Sequence, residues 1–142
     1  MSYILEKKSA PGAARWVQRS DFYSLSFPVS PTNTINEYFF APYDLTLKEV
    51  NAYCHSGAAS AAGTYLLFVS DETASNNLLS APGGFDLEAP SLPAATLTAV
   101  GLTGTTANLS MPKGSVIKIQ AASDNADLVA EGVYVQLIFG AQ

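Results

Sequence analysis

The sequence predicts an all-β protein: an antiparallel β-sandwich of jelly-roll type with an extended N-terminal arm. Three observations predict it. From residue 22 onward apolar side chains recur at alternate positions. Proline, glycine and small polar residues interrupt that alternation about every 8 to 12 residues, and no stretch sustains a helical period. The chain has 142 residues, the size of one domain able to bury a real core. It divides into a basic arm, residues 1–20, and a sandwich domain, residues 21–142.

The first strand, residues 22–27, is expected to stop at Pro28 and Pro31, which lack a ladder donor. A second, 34–40, closes at Ala41-Pro42. Residues 43–55 begin with Leu45 and Leu47 on one face and continue with Val50, Ala52 and Cys54 one position out of phase. Such a slip marks a β-bulge near Lys48 and Glu49. Beyond the small-residue loop 56–63, residues 64–70 carry the apolar run Tyr65-Leu-Leu-Phe-Val69, which fits a strand buried on both faces. Short strands at 77–80 and 85–88 flank the turn Ala81-Pro82-Gly83-Gly84, and another follows at 95–102. Residues 108–120 read as a hairpin turning at Pro112 and Gly114, with Ile117, Ile119 and Ala121 inward and Val116, Lys118 and Gln120 toward solvent. Residues 132–139 put Val133, Val135, Leu137 and Phe139 on one face. An immunoglobulin-like sandwich lacks its signature, because Cys54 is the only cysteine and Trp16 precedes the first strand.

Charged residues make up 13% of the chain, about half the roughly 25% usual for soluble domains. A coat this thin points to a surface covered by copies of the chain or by a larger assembly. No apolar run approaches the ~18 residues of a membrane-spanning helix. No uninterrupted apolar stretch follows the first basic residues, so no secretory signal is expected and synthesis in a reducing cytoplasm is. Residues 1–20 carry Lys7, Lys8, Arg15 and Arg19 against Glu6, a balance of +3, whereas the remaining 122 residues sum to −8. A basic arm before an acidic body suits docking on an acidic neighbour, with Trp16 adding apolar contact. Lys7, Lys8, Arg15, Trp16 and Arg19 are therefore the expected partner contacts. Nucleic acid requires a denser basic patch than this, and the acidic body repels phosphate.

No catalytic, metal or cofactor site is expected. His55 is the only imidazole and follows Cys54 directly; neighbours on a strand point to opposite faces and cannot act as a nucleophile and base. Cys54 continues a core face, and His55 belongs to the surface. The loop 57–63 has glycines but no following Lys-Ser or Lys-Thr, so it cradles no phosphate. The oxygen-rich segments 70–72 and 123–127, with Asp86 and Glu88, do not match the spacing of a calcium loop. Tyr38, Phe39, Phe40, Tyr43 and Tyr53 are concentrated in one region. Most are expected to fill the core, with Tyr43 and Tyr53 as the candidates for surface recognition by stacking on sugar rings or anchoring a protein interface.

The run Leu109-Ser-Met-Pro-Lys-Gly-Ser-Val-Ile-Lys-Ile119, the terminal strand Gly132-Val-Tyr-Val-Gln-Leu-Ile-Phe139, and the earlier Phe39-Phe-Ala-Pro-Tyr-Asp-Leu-Thr-Leu-Lys-Glu-Val-Asn-Ala-Tyr53 resemble small β-sandwich virion proteins of tailed bacteriophages, head decoration (cement) proteins and short head fibres. The resemblance implies a non-enzymatic structural protein of the virion, assembled in the host cytoplasm. It also implies a homotrimer that binds the major capsid protein or another virion subunit through its N-terminal segment. The alternative is a carbohydrate- or receptor-binding module of a phage fibre.

Overall fold

In the computed structural model the described residues are 2–7, 14–19, 23–29, 35–56, 64–124 and 132–141; up to residue 35 the description is of the backbone. They form twelve strands and no α-helix: β1 (Ser2–Lys7), β2 (Ala14–Arg19), β3 (Tyr23–Val29), β4 (Ile35–Phe40), β5 (Leu45–Tyr53), β6 (Tyr65–Asp71), β7 (Asn76–Asn77), β8 (Phe85–Asp86), β9 (Thr98–Val100), β10 (Ser110–Met111), β11 (Val116–Ser123) and β12 (Val133–Ala141). A 3₁₀ turn, Thr106–Leu109, leads into β10.

Every pairing is antiparallel. One sheet has the order β10-β5-β12-β3, with β9 also on β5; the other has the order β4-β11-β6-β7, with β8 also on β6. The two sheets face each other across one apolar core, which makes the body β-sandwich-like. From the first sheet come Leu45, Leu47, Val50 and Ala52 of β5 with Val133, Val135, Leu137 and Phe139 of β12; from the second come Tyr65, Leu67 and Val69 of β6 with Ile117, Ile119 and Ala121 of β11. Burying each of the larger side chains contributes about 1.5–3 kcal/mol. Phe39 extends this core from β4, its ring centroid 5.3 Å from that of Phe139.

The phase slip read in β5 is a bulge. Ile138 pairs with Glu49 and Phe139 with Leu47, so Lys48 has no counterpart in β12. Lys48 and Glu49 are both exposed, and Val50 returns to the core. One extra residue restores the apolar face after Leu47 without a break in the strand.

Four expectations are corrected. Residues 108–120 are not a hairpin: the turn at Pro112 and Gly114 forms, with Ser115 N donating to Pro112 O at 3.0 Å, but β10 pairs with β5 and β11 pairs with β4 and β6. The turn carries the chain from one sheet to the other. Strand β6 is buried on one face only; Tyr65, Leu67, Val69 and Asp71 are buried, whereas Leu66, Phe68 and Ser70 are half-buried. Pro28 does not end its strand, because β3 lies last in its sheet's order and pairs with β12 alone, leaving no ladder on its other side among the described residues. Finally, residues expected as an extended arm fold back on themselves, β1 pairing with β2 from Ser2↔Arg19 to Lys7↔Ala14 in a two-stranded sheet of its own.

Candidate functional site

The outer face of the β11 sheet carries a cleft. Register sets its rows. Lys118 lies opposite Ser70 of β6 and Tyr38 of β4, and Gln120 lies opposite Phe68 and Asn36. Because side chains alternate, all of these stand on the side away from the core. Phe68, Ser70, Lys118 and Gln120 line the open cleft of about 320 Å³ together with Glu72, Asn77 and Pro82 among others.

The rim is built from the end of β6. Asp71, buried against the core, accepts from the backbone N–H groups of Thr73 at 2.9 Å and Ala74 at 3.2 Å, which turns the chain sharply. Ser75 completes the turn in the left-handed region at φ 57°. Two further bonds tie the turn to β11: Glu72 N donates to Val116 O at 2.8 Å, and Val116 N donates to Thr73 Oγ1 at 2.9 Å. Glu72 is thereby held over the sheet. Its Oε1 accepts from Ser70 Oγ at 2.5 Å and lies 3.7 Å from Lys118 Nζ. An ion pair this open to solvent contributes at most about 1 kcal/mol to stability. Its use here is to present one acceptor and one donor side by side.

The far wall depends on a glycine. Gly84 has φ +93°, and a Cβ there would meet Phe68 Cζ at 2.8 Å and Leu66 Cβ at 3.1 Å. A bare backbone lets the turn, closed by Gly84 N donating to Ala81 O at 3.0 Å, settle against the Phe68 ring. Asn77 is engaged locally, its amide donating to Leu79 O at 3.1 Å and accepting from Leu79 N at 3.2 Å. The side-chain amide of Gln120 has no hydrogen-bond partner among the described residues.

The residues expected to make contacts lie elsewhere. Lys8 is outside the described residues. In the β1–β2 register Leu5 pairs with Trp16, Glu6 with Arg15, Lys7 with Ala14 and Ser2 with Arg19. Tyr43 is half-buried and packs against the core before β5 begins. Tyr53 is half-buried at the other end of β5, opposite the exposed Tyr134 on the outer face of the first sheet. The two tyrosines are thus separated by the length of β5, roughly 30 Å, and share no site.

Cys54 is fully buried, its thiol within 3.7 Å of the carbonyl oxygens of Leu92 and Pro93, and burial pushes its pKa up. His55 is exposed and its backbone N–H donates to Gly132 O at 3.2 Å. No group of three or more His, Cys, Asp or Glu able to hold a metal ion occurs among the described residues. No helix among them is long and apolar enough to cross a membrane.

The sequence does not mark Phe68, Glu72 and the Gln120 amide as neighbours. The available signal was the polar alternation of Lys118 and Gln120, which marked an outward face but not what stands beside it. Comparison with protein-family models, curated proteins and solved structures finds no match to this chain.

Proposed function

We propose that this chain is a non-enzymatic virion structural protein, a capsid decoration protein that associates as a homotrimer and binds the capsid shell. The observation that carries the reading is the state of β4. It is the outermost strand of its sheet, pairs with β11 alone among the described residues, and has Glu37 as its one charge. Tyr38 and Phe40 stand on its outer side at 52% and 64% exposure. Open edges of monomeric proteins are usually guarded by charge, proline or a covering segment. Two exposed rings beside such an edge instead suit burial against another subunit, and symmetry repeats that gain at each interface.

Strand orders support the jelly-roll description within this reading. The chain changes sheet at β3 to β4, β4 to β5, β5 to β6, β8 to β9, β10 to β11 and β11 to β12. Jelly rolls of this kind occur in viral capsid and lectin domains. Lys7, Lys8, Arg15, Trp16 and Arg19 of the N-terminal segment would supply the shell contact.

Light scattering on the full chain is expected to give three times the 14.9 kDa chain mass, and Phe40→Asp to lower it toward that of one chain. Sedimentation with undecorated phage capsids is expected to retain the wild-type protein and to release a variant with Lys7, Lys8, Arg15 and Arg19 all changed to Glu. A wild-type protein that stays monomeric at millimolar concentration overturns the proposal.

A further inference from the structure

We infer that the cleft on the outer face of the β11 sheet is a binding site for a neutral saccharide of one or two sugar rings. Its volume of about 320 Å³ lies at the lower end of the ~300–1,000 Å³ of small-ligand sites. Its lining carries one acid, Glu72, and one base, Lys118, paired at 3.7 Å, so it offers no net charge to an ionic ligand. What it does offer is adjacent donors and acceptors. The Glu72 carboxylate and the Lys118 ammonium match two neighbouring hydroxyl groups, one donating to the acid and the other accepting from the base. The Gln120 amide, lying two residues along the same face of β11 and free of other partners among the described residues, presents both functions at once to a further hydroxyl pair.

The Phe68 ring supplies the apolar complement. It lies beside Gln120 in the sheet register, lines the cleft and packs against the turn at Gly84, so the part of it that faces the cleft offers apolar surface to the C–H groups of a sugar ring. Tyr38, opposite Lys118 on β4, lies outside the cleft on the side of the sheet edge. A trimer presenting three clefts would bind a glycan surface with avidity. The inference itself rests on the cleft and not on the oligomer.

The test uses the full chain, fluorescently labelled, on a printed array of mono- to tetrasaccharides, with titration calorimetry on any sugar that binds. Gln120→Ala and Glu72→Gln, both surface changes whose folding circular dichroism checks, are expected to weaken binding at least about tenfold. Tyr53→Ala, on the opposite sheet, is expected to leave it unchanged. A blank array overturns the inference, as does binding that survives both cleft variants or is lost with Tyr53→Ala. Light scattering on the same samples separates the two proposals. A trimer with a blank array removes the sugar site alone, and a monomer that binds through Gln120 removes the assembly reading alone.

Discussion

Strands β6 and β11 present two faces made by the same backbone, and the faces obey different rules. Inward, Leu67, Val69, Ile117 and Ile119 are all at most 2% exposed and meet β5 and β12 across the core. Outward, Phe68, Ser70, Lys118 and Gln120 are half-buried, covered by the β6–β7 connection and the turn at Gly84 rather than by a sheet. The inner face is specified by apolarity, which any neighbouring strand can satisfy. The outer one is specified by individual partners, so its properties change with single atoms. The same pair of strands thus holds a stability-determining face and the face that carries the cleft, one side chain apart.

Core substitution should give the largest effect. Leu67→Ala is expected to lower unfolding free energy by about 2–5 kcal/mol, because the sandwich cannot collapse into the void; urea titration reads it. An equal loss from Gln120→Ala would erase the distinction between the two faces. Gly84→Ala comes next, at about 2 kcal/mol, since an L side chain at φ +93° is strained and its Cβ meets the Phe68 ring. It should also weaken any ligand held on that ring, and unchanged thermal stability would show that the turn is free to move off Phe68.

The smallest effect has the opposite sign. The Tyr65 hydroxyl is buried without a hydrogen-bond partner among the described residues. Leaving such a group unsatisfied costs about 1–3 kcal/mol, so Tyr65→Phe is expected to raise stability by about 1 kcal/mol. Burial pushes the pKa of both Tyr65 and Cys54 up. Groups whose folded pKa is raised contribute fully below their unfolded values and lose that contribution as pH climbs above them. Stability is therefore expected to fall from about pH 9 upward. Part of the loss above about pH 10 should disappear in Tyr65→Phe. A melting profile flat to pH 11, or one unchanged by the substitution, would place the hydroxyl in contact with solvent.

Some of this was written locally. The alternation of Val133, Val135, Leu137 and Phe139 marked the core face of β12, and the slip between Leu47 and Val50 marked the bulge at Lys48, because both are properties of one strand's period. The inward place of Cys54 followed from the same count. Residues 108–120 failed for the complementary reason. Pro112 and Gly114 make a turn wherever they stand, but whether the strands on either side pair with each other depends on β4, β5 and β6, tens of residues away. Tyr43 and Tyr53 were grouped by composition, and β5 sets them at its two ends.

By itself, then, the order of residues determined the long strands β5, β6, β11 and β12, the inward side of β5, β11 and β12, and the position of the bulge. Side-chain periodicity is a short-range property that any window of the chain carries. Only the tertiary structure decided which strands are neighbours, that β4 lies outermost in its sheet among the described residues, and that Phe68, Glu72, Lys118 and Gln120 share a cleft. Those relations depend on pairing between segments far apart in the chain, as far as Tyr23 with Phe139, which hydrogen-bond register selects after the chain has closed on itself.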